Sequence, residues 1–299
     1  MESSLPITHR LAIFAGDIKI SHTVFAMPWA LLSMVLAGHT SADGLTVLKI
    51  GLIVLCMITA RTAAMSANRL LDAKLDALNP RTARRAIPGK ALSRSFVIAA
   101  LVICAIGFMA SCLGFWLAYK NPWPALLSPL VLLFICCYPL LKRFTRLCHY
   151  YLGAALGLAP ICAWIAVRGD LQLPPLLMST AVLLWTAGFD IIYACQDFTS
   201  DQALGVFSVP SKLGIARALW VSRITHAACI GVLILMGLTI PQFALLYWIA
   251  VGLAIVLLVT EHLLVRPNDL SLVGHAFFTL NGLMSILVGT LGIWDVLRR

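Results

Sequence analysis

Only 12 of the 299 residues are Asp or Glu, yet five of them fall in two short stretches. In NRLLDAKLDALNPRT, residues 68–82, Asn68, Asp72 and Asp76 recur at every fourth position. In DIIYACQDFTSD, residues 190–201, Asp190, Asp197 and Asp201 are spaced i, i+7, i+11. On a helix both spacings bring the polar side chains near one face. Clustered carboxylates repel one another unless something positive lies between them. Hard divalent cations such as Mg²⁺ take oxygen donors, retain waters and bridge to substrate phosphates. One Asp pair at a helix mouth also reads as a solvated end beside basic loops. Two such stretches point instead to a metal–phosphate site.

The phosphate half needs cations. YPLLKRFTR places Lys142 one turn after Tyr138, followed by Arg143 and Arg146, and PRTARR sets Arg81, Arg84 and Arg85 just past the first acidic stretch. Alone, each group reads as a topology anchor; beside the acids they become candidate diphosphate clamps. Two further charges lie deeper. Arg61 precedes Asn68, and Asp190 precedes Asp197, by seven residues, about 10.5 Å of helix. Ionisable groups at such depth face a cavity or a partner. They either pair, with each other or with another residue, or line an acceptor pocket. In that pocket Arg61 would hold an anion such as a carboxylate, and Asp190 would orient a hydroxyl or accept a proton.

The elements that position these residues are membrane helices. The chain is 61% hydrophobic and 11% charged, outside the range of soluble domains. Nine apolar stretches are long enough to span a bilayer, at about 20–38, 46–67, 95–119, 123–141, 148–167, 174–196, 217–238, 242–265 and 274–296. Segments of this kind must be helical to satisfy their backbone groups. The expected fold is all-α, a polytopic bundle of about nine transmembrane helices forming a single domain over residues 1–299. With a cytoplasmic N-terminus, both acidic stretches fall at the cytoplasmic ends of parallel helices. Most Lys and Arg then lie inside, and the outer loops hold little beyond Asp43, Lys49, Lys120, Arg168 and Asp170. The net charge of +10 thus reads mainly as topology, and nucleic acid is not an expected partner. MESSLPITHRLAIFAGDIK has the pattern of neither a signal peptide nor a transit peptide, and a bacterial inner membrane is the simplest location. Nine cysteines without C-x-x-C or His–Cys metal spacing read as buried thiols.

Taken together, NRLLDAKLDALNPRT, YPLLK and DIIYACQDFTSDQALGVFSVP resemble the motifs of the UbiA superfamily of intramembrane prenyltransferases, over essentially the whole chain. The stretch ARTAAMSAN resembles the corresponding region of 4-hydroxybenzoate polyprenyltransferases. The resemblance implies two Mg²⁺ ions bridging a polyprenyl diphosphate to Asn68, Asp72 and Asp76 on one side and Asp197 and Asp201 on the other. It implies diphosphate contacts from Arg85, Tyr138 and Lys142. It also sets Arg61 against the carboxylate of a small aromatic acid, with Asp190 near that acceptor. The chain departs from the family in reading Asn68-Arg69 where an acid commonly follows the asparagine. His22 matches no element of the pattern and reads as a packed or hydrogen-bonded histidine. The activity implied is prenyl transfer to 4-hydroxybenzoate in ubiquinone biosynthesis. The near rival is 1,4-dihydroxy-6-naphthoate in menaquinone biosynthesis, which also offers a carboxylate and a phenol. From other classes, a transporter would need access from both faces, and a phosphatidyltransferase would need a D-G-x-x-A-R segment that is absent.

Overall fold

The computed structural model describes residues 6–41 and 44–299, without the side chains of residues 20–22, 275 and 276. Asp43 and the side chain of His22 therefore lie outside the described residues. Helices follow one another throughout: α1 (Ile7–Asp17), α2 (Met27–His39), α3 (Val47–Leu78), α4 (Arg94–Tyr119), α5 (Trp123–Leu141), α6 (Cys148–Arg168) and α7 (Leu173–Ala194). After α7 come the short α8 (Phe198–Ala203) and α9 (Val209–Leu213), then α10 (Ile215–Thr239), α11 (Leu245–Leu264), α12 (Val273–His275) and α13 (Asn281–Leu297). Among the described residues there is no strand, only one isolated bridge between Arg266 and Asp269. Thr46 caps α3 and Ser93 caps α4, each side chain accepting a backbone N–H of the first turn.

Among the described residues, eight of the nine expected spans are long, apolar helices, and the chain is a multi-pass membrane protein. The first expected span differs. Its apolar run divides into a 3₁₀ segment, Ile20–Phe25, and the 13-residue α2. At about 1.5 Å per residue, α2 covers only about 20 Å, short of a ~30 Å hydrocarbon core. Pro28, which has no N–H to donate, sits in the first turn of α2, and Lys19 turns the chain at φ 53°. Carbonyls released by this break find donors on other helices, as membrane depth requires. Arg61 Nη2 donates to the carbonyls of Ile18 (3.3 Å) and Lys19 (2.7 Å), and Ser285 Oγ donates to that of Phe25 (2.9 Å).

A close seam in the bundle joins α6 to α7. Gly153 and Gly157 form a G-x-x-x-G pair, and a Cβ at Gly153 would stand 2.3 Å from the carbonyl oxygen of Leu183. Small residues there let two backbones approach closely. Gly153→Ala is expected to cost about 1–3 kcal/mol through overpacking, read as a lower thermal midpoint in detergent. A buried polar chain holds α7 from its other side. Trp185 Nε1 donates to Asn281 Oδ1 (2.6 Å), whose amide donates to Glu261 Oε1 (2.7 Å), tying α7 to α13 and α11. The helix carrying Asp190 is thus fixed on two faces.

Candidate active site

The two acidic stretches meet. The chain leaving α3 lies against the end of α7, where Asn79 Nδ2 donates to Asp197 Oδ1 at 2.9 Å. Arg81 adds two bonds to Asp197, from Nε at 2.8 Å and Nη2 at 2.5 Å, and its Nη1 donates to the Tyr193 hydroxyl at 2.9 Å. Burial works against the Arg81 charge, but the bonds and charge of Asp197 outweigh it and hold the guanidinium pKa above its ordinary value. The second stretch is not one continuous helix: α7 gives way to a 3₁₀ turn, Cys195–Asp197, before α8 carries Asp201. Asp201 Oδ2 accepts from Ser208 Oγ at 2.9 Å.

Every acid of the first stretch also holds a cation. Lys142 Nζ, at the end of α5, donates to Asp72 Oδ2 at 2.6 Å. Arg85 Nη1 reaches both oxygens of Asp76 at 2.8 Å. Asn68 Nδ2 donates to Asp72 Oδ2 at 2.8 Å, and Arg143 Nη2 pins α5 to α3 through the carbonyl of Leu71 at 2.6 Å. Of the basic residues read as diphosphate clamps, Lys142, Arg85 and Arg81 therefore rest on the carboxylates. Among the described residues no three His, Cys, Asp or Glu side chains converge. The donor set nonetheless fits a hard divalent cation: its members are oxygens, and Asp72 Oδ1 is buried with no hydrogen-bond partner. A lone buried carboxylate oxygen is costly, and a cation bound there would satisfy it.

Arg69, where the family commonly has an acid, is buried and belongs to a third group. Its Nε donates to Asp17 Oδ2 at 2.9 Å, its Nη2 to the Asp17 carbonyl at 2.5 Å, and its Nη1 to Asn68 Oδ1 at 2.6 Å. Asp17 Oδ1 accepts the backbone N–H of Ala86 at 3.0 Å. Asp17 thus ties α1 both to the first acidic stretch and to the loop carrying Arg81 and Arg85, although nothing in its sequence neighbourhood marks it. Because the Arg69 side chain is only 5% exposed, removing its partner leaves a buried charge uncompensated. Asp17→Ala is expected to destabilise the protein by about 3–5 kcal/mol, seen as a large fall in thermal midpoint.

Below the acids lies a cavity of about 300 Å³. Arg61, Tyr138 and Asp190 line it together with apolar residues of α3 to α6, among them Ile53, Phe108 and Phe115. Along α3 its lining runs from Met65 past Arg61 to Ile53, about 18 Å. Arg61 and Asp190 form no ion pair with each other. Asp190 Oδ2 pairs with His149 Nδ1 at 2.7 Å, a partner the sequence reading missed. Arg61 Nη2 holds the two backbone carbonyls, whereas its Nη1 is buried without a partner. Tyr138 is less involved in the polar cluster than expected, its hydroxyl donating weakly to Met65 Sδ at 3.7 Å. All nine cysteines are free thiols.

Oxygen donors for a divalent cation, waiting cations and an apolar chamber beneath them suit a membrane enzyme acting on a lipid diphosphate. Residues 26–283 match the UbiA prenyltransferase family, and the chain belongs to that family; it is a UbiA-type prenyltransferase. It is 28% identical over 265 residues to a 4-hydroxybenzoate octaprenyltransferase of Pseudoalteromonas translucida, covering 88% of this chain and 86% of that one. With a 4-hydroxybenzoate solanesyltransferase of Synechocystis it shares 31% over 224 residues, 72% of each chain. Among solved structures, the apo UbiA homologue of Aeropyrum pernix superposes with a TM-score of 0.81 at 30% identity, over 92% of this chain and 98% of that one. A UbiA homologue of Archaeoglobus fulgidus, solved with GPP and Mg²⁺, has the same fold at a TM-score of 0.71 and 16% identity, over 95% of this chain and 99% of that one.

Proposed function

We propose that this chain, as one domain, transfers a polyprenyl group from polyprenyl diphosphate to the ring of 4-hydroxybenzoate, releasing pyrophosphate in respiratory quinone biosynthesis. The site faces the cytoplasm from a bacterial inner membrane, in keeping with the concentration of Lys and Arg on that side. The observation that carries the acceptor is that one cavity is lined both by Asp190 and by an Arg61 whose Nη1 has no partner. A small acid with a phenol para to its carboxylate matches that pair. The names of the curated relatives point the same way.

In this reading Asn68, Asp72 and Asp76 hold one Mg²⁺ and Asp197 and Asp201 a second. When bound, the metal neutralises charge growing on the leaving diphosphate oxygens. Lys142 and Arg85 exchange their carboxylates for the diphosphate, and Tyr138 borders the reacting end of the cavity. Its apolar walls keep water from the allylic carbon as the C–O bond breaks. Arg61 fixes the acceptor carboxylate, the ring carbon forms the new C–C bond, and Asp190 orients the phenol or takes the ring proton.

Membranes containing the chain, incubated with Mg²⁺, a panel of prenyl diphosphates and either aromatic acid, test the reading by product mass. Prenylated 4-hydroxybenzoate and pyrophosphate are expected, and neither with EDTA. Product from 1,4-dihydroxy-6-naphthoate alone would overturn the acceptor. Proteoliposome flux without pyrophosphate would overturn the enzyme.

A further inference from the structure

His149 stands at the start of α6, 3% exposed, between the two parts of the site. Its Nε2 lies 3.2 Å from the backbone N of Val209, the first residue of α9. A backbone amide only donates, so Nε2 must offer a lone pair. With Nε2 accepting, the ring proton sits on Nδ1 and is donated to Asp190 Oδ2 at 2.7 Å. Val209 follows Ser208, whose hydroxyl donates to Asp201 Oδ2. Ser208 and Ser211 close a capping box on α9, which makes this corner stiff. The same segment is pinned to the ends of α5 and α6. Phe207 N–H donates to the carbonyl of Lys142 at 2.7 Å, and Cys148 Sγ donates to that of Phe207 at 3.3 Å.

A continuous path thus leads from Asp201 through Ser208, Val209 and His149 to Asp190. The second oxygen of Asp190 has no hydrogen-bond partner among the described residues, and Asp190 lines the cavity. We infer that His149 is a positioning residue: by two directional hydrogen bonds, and not by moving a proton, it holds Asp190 toward the acceptor and registers it to the segment that carries Asp201. This inference rests on the proposed function for the role of Asp190. It requires of residue 149 only one donor and one acceptor on a rigid planar group. A glutamine amide offers the same pair.

The test compares His149→Leu and His149→Gln in the full chain in membranes, with prenyl diphosphate and 4-hydroxybenzoate each varied in turn while the other is saturating. His149→Leu should lower kcat on the order of 10–100-fold and leave the KM for the prenyl diphosphate unchanged, while His149→Gln should recover most of the loss. Wild-type kcat in His149→Leu, or an equal loss in His149→Gln at equal expression and thermal midpoint, would overturn the inference. A wild-type chain forming no product with that acid would instead defeat the proposed function. A substrate-free measurement still decides the inference in that event: His149→Leu and Asp190→Asn, alone and combined, should shift the thermal midpoint non-additively. Additive shifts would show that the two residues are not coupled.

Discussion

Asp72→Asn is expected to abolish Mg²⁺-dependent pyrophosphate release, with a loss on the order of 10²–10³-fold or more, the scale seen when one preorganised group is removed from a developing charge. Asp72 has two tasks. Its Oδ2 gathers Lys142 and Asn68, and its buried Oδ1 waits without a partner. An amide of the same shape keeps the packing but removes the negative charge that a divalent cation needs. Asp197→Asn should behave alike, because Asp197 anchors the other side and receives Arg81 and Asn79. Pyrophosphate release measured against Mg²⁺ concentration in membranes checks both. Full retention in either variant would remove that residue from metal binding, and an unchanged thermal midpoint separates lost chemistry from lost folding.

The second large effect belongs to the acceptor. Arg61→Ala removes a charge-assisted bond worth about 1.5–3 kcal/mol, a factor of roughly 10–150 in kcat/KM for the aromatic acid. The KM for the prenyl diphosphate should not change. Arg61→Lys should recover only part of the loss. A single ammonium cannot reproduce a planar fork that holds the carbonyls of Ile18 and Lys19 with one arm and offers the other to a carboxylate. Steady-state kinetics with each substrate varied in turn gives the answer. Unchanged acceptor KM and kcat in Arg61→Ala would take Arg61 out of the acceptor pocket.

Much of this arrangement was legible in the residues. Long apolar runs dictate helices in a bilayer, and the i, i+4 spacing of Asn68, Asp72 and Asp76 follows directly from helical pitch. That the two acidic stretches should come near one another followed from alternating topology, and Asn79 and Arg81 of the first stretch bond to Asp197 of the second. What stayed hidden depends on contacts between distant positions. Asp17 lies 52 residues from Arg69, and His149 lies 41 from Asp190, with no local pattern marking either as a partner. Arg69 read as a missing acid, whereas its meaning lies in the acid that α1 brings to it. The broken first span escaped a hydropathy reading because a span-length window averages the 3₁₀ segment, with Ser21, His22 and Thr23, into the apolar α2 that follows. Pro28 was the one local sign that the helix begins late.

The cations resting on the acids have a consequence for how substrates load. A divalent ion arriving alone would have to evict Lys142, Arg85 or Arg81 and leave them stranded at the membrane surface. A diphosphate arriving alone would draw those side chains away and strand the carboxylates. Arriving as a pair, the two trade partners with the protein and leave no charge behind. Affinity for each should therefore rise when the other is present, by the same factor, since such linkage is reciprocal.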